Sequence, residues 1–230
     1  MPHSNTQTRD MQALLHPYAN LKLLDENGPI IISHGQGIYV YDSTGKQYIE
    51  AMSGLWSTAL GWGENELADV AAEQMRKLSY GHLFAGKSHE PGIALAEKLK
   101  ELSPFPVGKV FFGSSGSEAN DTQIKFAWYA ANARGLPRKK KIISRHNAYH
   151  GVTIASASLT GLGTVHKSFD LPLDFARHAE CPHFYRAARE GESERQFSAR
   201  MAASLDGLIQ REGPETMAAM IVEPVMGAGG

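Results

Sequence analysis

Apolar positions recur along this chain with two different periods, and the change between them organises it. Over residues 64–78, Leu67, Val70, Ala71, Gln74, Met75 and Leu78 share one face of a 3.6-residue repeat, and nearly all are apolar, which predicts an amphipathic helix. A second helix is predicted over 89–102, with Pro91 near its first turn and Pro104 beyond its end. Before them, residues 11–28 read as a mobile or helical arm closing at Asn27, Gly28 and Pro29. Residues 30–51 read as a hairpin or small meander, in which short strands at 38–41 and 47–49 flank the turn-forming cluster of residues 42–46. Residues 53–63 are glycine-rich and carry Trp56 and Trp62.

From residue 109 onward, strands and helices alternate. Strands are predicted at 109–112, 141–144 and 218–222, helices at 118–134 and 197–211, and a small-residue helix or turn at 152–159. Residues 160–195 read as a long irregular stretch. Such alternation predicts an α/β fold with a mainly parallel sheet and helices on both faces. Ligands of these sheets lie outside the carboxyl ends of the strands. Three loops, at 113–117, 146–151 and 223–230, are expected there.

The first of these loops carries the most specific chemistry. Gly113, Ser114, Ser115, Gly116, Ser117, Glu118, Ala119 and Asn120 follow an apolar run and open a long helix. The first N–H groups of a helix lack intrahelical partners, and its dipole places partial positive charge at that end. Glycine lets a phosphate approach the backbone, and serine hydroxyls add donors. The turn therefore reads as a phosphate site, with an N-cap that holds no ligand as the plain alternative. It is neither a nucleophile elbow nor a dinucleotide fingerprint, because the glycines do not stand at the required offsets. Gly81, Gly86, Lys87 and Ser88 match the P-loop letters, but a P-loop needs a buried strand before it, and the amphipathic helix stands there instead.

Composition narrows the partners. The 230 residues allow one large or two small domains, and a net charge of −1 gives no sign of nucleic acid or an anionic membrane. Cys181 is the one cysteine, which excludes an internal disulfide and fits a reducing compartment. The first ten residues are polar, unlike a signal peptide, and no apolar run reaches membrane-spanning length. A cytoplasmic location is expected, and no metal site. The sequence stops at Gly227, Ala228, Gly229 and Gly230, straight after an apolar strand, so further chain is expected after Gly230.

Residues 114–120 resemble the cofactor-phosphate turn of the class III pyridoxal-phosphate aminotransferases, the omega-aminotransferase group. Three more segments match in family order: Ser53-Gly54-Leu55-Trp56 with Gly61 and Gly63, Asn147-Ala148-Tyr149-His150-Gly151, and residues 222–230. The resemblance covers about residues 15–230. It implies fold type I of the pyridoxal-phosphate enzymes. Residues 1–60 would be an N-terminal arm and meander belonging to a small domain, and 61–230 the N-terminal portion of the large cofactor-binding domain, with the C-terminal part missing. It further implies that Ser115, Gly116 and Ser117 hold the phosphate of pyridoxal 5'-phosphate. Tyr149 would stack on the pyridine ring, His150 brace that loop and Glu223 support the ring by hydrogen bonding. Trp56, Phe84 and Ala228 would line the substrate pocket, with Phe84 lent by the other subunit.

The same resemblance implies transfer of an amino group from an amine or omega-amino acid to a keto acid, pyruvate among them, in a homodimer or dimer of dimers. It also implies what is lacking. The Schiff-base lysine and the aspartate against the pyridine nitrogen are expected beyond Gly230, so no residue of this chain is expected to be catalytic and the chain alone is expected to be inactive. The alternative from another class is a non-catalytic phosphate-binding or interaction module on the same scaffold.

Overall fold

A computed structural model describes residues 3–229, and Gly230, the last residue of the C-terminal motif, lies outside the described residues. The chain divides into two compact units, the first ending at Lys98 and the second beginning at Leu99.

In the first unit, the predicted arm holds two helices, α1 (Asn5–Ala13) and α2 (Leu21–Asn27). Ser4 starts α1 with a capping box, its hydroxyl accepting from the Gln7 N–H while the Gln7 side chain accepts from Ser4. The predicted meander is a three-stranded antiparallel sheet in the order β1 (Ile32–Gln36), β2 (Tyr39–Asp42), β3 (Gln47–Ile49). Asp42 fixes the turn between β2 and β3, its carboxylate accepting from the Thr44 N–H and hydroxyl, the Lys46 N–H and the Tyr48 hydroxyl.

After the meander comes a single turn, α3 (Ser53–Trp56), wound left-handed: φ is 48° at Ser53, 60° at Gly54, 60° at Leu55 and 67° at Trp56. Only glycine adopts this region without steric cost, and each of the others gives up roughly 1–2 kcal/mol. Helices α4 (Asn65–Lys77) and α5 (Glu90–Leu102) follow close to their predicted bounds. The apolar stripe of α4 is real, yet Leu67, Val70, Met75 and Leu78 stay exposed among the described residues. The P-loop letters fall around a 3-10 turn, Phe84–Gly86, and the element immediately before it is α4, not a strand.

In the second unit, α6 (Gly116–Ala133) is followed by β4 (Lys141–Arg145), α7 (Ile154–Leu159), β5 (Ala176–Ala179), α8 (Phe184–Ala187), α9 (Glu194–Glu212) and β6 (Met217–Met220). The sheet order is β5-β4-β6 and both pairings are parallel, with Ile142 opposite Ala176 on one side and Ala219 on the other. The α/β class with a parallel sheet holds. The core is Ile124 of α6, Ile142, Leu159 and Ala176, with Trp128, Phe175 and Ile221 packed on it. Fully burying an isoleucine or leucine side chain contributes about 1.5–3 kcal/mol. Ile143 and Ser144 are also buried, as expected for a central strand covered on both faces.

Two expectations fail. Residues 109–112 form no strand: Phe111 is 64 % exposed and touches the Phe126 ring edge-on. An apolar run signals a strand only where a ladder is available to receive it, and among the described residues none is. Conversely, β5 lies inside the stretch read as irregular. Ala-Arg-His-Ala shows no alternation and no β-branched residue, and β4 alone recruits it.

Candidate functional site

The carboxyl ends of β4 and β6 and the amino end of α6 build one site. Ser115 is the N-cap of α6, its hydroxyl accepting from the Glu118 N–H at 3.1 Å, while Glu118 Oε2 accepts from the Ser114 N–H at 2.7 Å. Gly116 and Ser117 lie in the first turn, where a helix offers their N–H groups no carbonyl. A Cβ added to Gly116 would meet nothing within 4 Å, so the approach to these donors is open. The hydroxyls of Ser115 and Ser117 each already accept one N–H, yet each keeps its own proton to donate.

Ser117 reaches across to the second loop, where its Oγ accepts from the Val152 N–H at 3.0 Å. Asn120 Nδ2 donates to the His150 carbonyl at 2.6 Å. Asp121 Oδ1 accepts from the Thr153 hydroxyl at 2.8 Å and the Ser156 N–H at 3.1 Å. Ser117, Asn120 and Asp121 are spaced i, i+3 and i+4, so one face of α6 grips the loop after β4. Asn120 closes the motif read from the sequence but had no role there, and Asp121 did not stand out, although their spacing from Ser117 was readable. The contact is close: a Cβ on Gly151 would fall on the Ser117 and Ser156 hydroxyls.

The third loop is tied to the second through Glu223. Its Oε1 accepts from the Tyr149 N–H at 2.8 Å, its Oε2 accepts from the Gly227 N–H at 3.2 Å, and its backbone carbonyl accepts from Arg145 Nη2 at 3.0 Å. Gly229 lies so close to the Asn147 carbonyl that no side chain fits there. Ala228 is exposed beside it, and Tyr149 is 38 % exposed.

His150 sits beneath the loop rather than on its open side. It is buried, its N–H donates to the Thr160 hydroxyl at 2.9 Å, and its ring Nε2 finds no partner among the described residues. Burial pulls its pKa below the usual histidine value, Glu223 pulls it back up, and Arg145 lowers it again. His178 is likewise depressed, first by burial and then by the neighbouring His146, whose ring stacks on it at 5.5 Å.

Trp56 and Phe84 belong to the first unit, where they are 64 % and 79 % exposed. Lys139, Lys140 and Lys141 lie at the opposite end of β4 from the site, and Lys141 pairs with Glu212 at 2.7 Å. Among the described residues no group of histidine, cysteine and carboxylate side chains is arranged to hold a metal, and no helix is long and apolar enough to cross a membrane.

Comparisons with known proteins meet this geometry. The family model for aminotransferase class III matches residues 24–230. A probable mitochondrial gamma-aminobutyrate transaminase 3 of Oryza sativa subsp. indica is 50 % identical over 203 residues, covering 88 % of this chain and 40 % of that protein. The omega transaminase of Pseudomonas jessenii, solved in complex with PMP, is 57 % identical with a TM-score of 0.97, over 99 % of this chain and 50 % of that one. A thermostable omega transaminase variant, engineered for asymmetric synthesis of enantiopure bulky amines, is 57 % identical with a TM-score of 0.96, over 98 % of this chain and 50 % of that one. Its substitutions fall on a tryptophan, a phenylalanine and an arginine. The chain spans about half the length of the solved relatives it matches.

Proposed function

The chain belongs to the class III aminotransferases, whose cofactor is pyridoxal 5'-phosphate, and we propose that it supplies the phosphate-binding half of an enzyme that moves an amino group from an amine or omega-amino acid to a keto acid, pyruvate being the acceptor we favour. The observation that carries this reading is the convergence of the open α6 amino terminus with two loops, at 146–151 and 223–229, locked to each other by Glu223.

The residues present fit the cofactor. Ser115, Gly116 and Ser117 offer backbone and hydroxyl donors at the positive end of a helix, which suits a dianionic phosphate. Tyr149, half exposed, offers a flat face to the ring. Glu223 holds the backbone under that tyrosine and fixes where its ring stands. His150, buried, braces the loop from beneath. When bound, pyridoxal phosphate supplies the electron sink that makes the donor carbon acidic and lets nitrogen change owner. The lysine and the aspartate that act on it are proposed to lie outside this chain, in keeping with the engagement of Lys139 to Lys141 at the far end of β4.

Trp56, Phe84 and Ala228 are proposed to line the substrate pocket. In the bulky-amine variant the substituted tryptophan and phenylalanine stand as far apart in sequence as Trp56 and Phe84 do here, which supports that assignment. We further propose a homodimer, and a reducing, cytoplasmic setting that suits a lone Cys181.

The test supplies pyruvate with an omega-amino acid or a primary amine and follows alanine formation. The complete protein is expected to form alanine, and the 230-residue chain alone to give none above the free-cofactor background. Alanine formation by the chain alone would overturn the placing of the lysine, and none from any keto acid with the complete protein would overturn amino transfer.

A further inference from the structure

We propose that Glu50 is a positioning residue for substrate choice, its carboxylate holding the left-handed turn that presents Trp56. The inference rests on the reading of Trp56 as a pocket wall. Ser53, Gly54, Leu55 and Trp56 all have positive φ, and three of them are not glycine. L-residues avoid such a run, so the turn must be held from outside its own preferences. Its trailing side is closed by the chain itself: the Trp56 N–H donates to the Met52 carbonyl at 2.8 Å, and the Ser57 and Thr58 N–H groups both donate to the Ser53 carbonyl. The Ser57 hydroxyl donates to the Gly54 carbonyl at 2.7 Å.

The leading side is held by one side chain. Glu50 Oε1 accepts from the Met52 N–H at 3.2 Å, and Oε2 accepts from the Gly54 N–H at 2.5 Å. Among the described residues packing adds little here, since Leu55 is 73 % exposed and Trp56 64 % exposed. A Cβ at Gly54 would crowd the Ser57 and Thr58 hydroxyls at 3.3 Å, so a side chain there would have to displace them slightly. Without the carboxylate, two N–H groups at the start of the turn lose a charged acceptor. The backbone then relaxes toward right-handed or extended conformations, and the indole leaves its place. Glu50 therefore acts on substrates through Trp56 and not by contact.

The experiment uses the catalytically active protein with its cofactor bound. It compares wild type, Glu50→Gln, Glu50→Ala, Trp56→Ala and the double variant Glu50→Gln/Trp56→Ala. The readout is the ratio of kcat/KM for a bulky aromatic amine to that for a small aliphatic amine. Both amines are monocations, so the lost charge at Glu50 cancels in the ratio. Amide exchange of residues 52–56 gives a readout independent of turnover.

Both Glu50 variants are expected to shift the ratio toward the bulky amine by roughly tenfold, the scale of apolar pocket contacts, and to speed exchange at Met52 and Gly54. Adding Glu50→Gln to Trp56→Ala is expected to change the ratio no further. Glu50→Gln keeps the side-chain volume and one acceptor, so it serves if Glu50→Ala does not fold. If Trp56→Ala shifts the ratio and folded Glu50 variants do not, or lower all amines alike, this inference falls and the pocket reading stands. If Trp56→Ala itself leaves the ratio unchanged, the pocket reading fails and takes the inference with it. Additive shifts in the double variant would show Glu50 acting elsewhere, and would also overturn it.

Discussion

The Glu223 carboxylate accepts the backbone N–H of Tyr149 at 2.8 Å, across 74 residues of sequence, and so joins the loop after β6 to the loop after β4. Its other oxygen takes the Gly227 N–H. One side chain thus ties the backbone at Tyr149 to the glycine-rich tail. Glu223→Ala leaves both N–H groups without their charged acceptor, an expected cost of about 1.5–3 kcal/mol. Thermal unfolding and amide exchange at Tyr149 and Gly227 check this. Unchanged exchange at both sites would show that the carboxylate is not the tie.

Ser117 Oγ accepts from the Val152 N–H, and its own proton is the one proposed to reach a phosphate oxygen. Ser117→Ala in the complete protein is expected to weaken pyridoxal phosphate binding roughly ten- to a hundredfold, the loss of one hydrogen bond to a charged group. Titration of the cofactor measures it. An unchanged dissociation constant would place the phosphate elsewhere.

Much of this site was legible because its donors come from one continuous stretch. Residues 114–120 announce a helix start, and the phosphate reading needs only what a helix start supplies. The grip of Asn120 and Asp121 was half legible: the i, i+3, i+4 spacing from Ser117 is in the sequence, but what it would grip is a tertiary fact. The apolar run at 109–112 and the edge strand β5 were misread for one reason. Pairing belongs to the sheet and not to the segment, so Phe111 is apolar without a ladder and Arg177 is polar within one. The left-handed turn at 53–56 was legible only as a glycine-rich loop. Three non-glycine residues at positive φ follow from Glu50, which nothing in the local pattern singles out.

Burial makes the second unit sensitive to acid. His150 and His178 both titrate below the ordinary value of 6.5 because burial disfavours the cation. Below pH 6.5 the unfolded chain takes up protons that the folded chain refuses, so stability is full above that pH and falls as the pH drops beneath it. The slope cannot exceed about 1.4 kcal/mol per pH unit for each histidine, and it vanishes below the folded value. Unfolding midpoints between about pH 5.5 and 7.5, one unit either side of the histidine value, are expected to fall on acidification. His150→Gln is expected to flatten the slope, by no more than one proton. A midpoint that does not fall with pH, or a slope untouched by His150→Gln, would show these rings to be protonated in the fold.

The most direct measurement is a crystal structure of the complete protein soaked with pyridoxamine phosphate. The phosphate is expected within hydrogen-bond distance of the Gly116 and Ser117 N–H groups, with the ring against Tyr149 and Glu223 still holding the Tyr149 N–H. A phosphate bound away from the α6 amino terminus, or a ring that leaves Tyr149 untouched, would contradict the account at its centre.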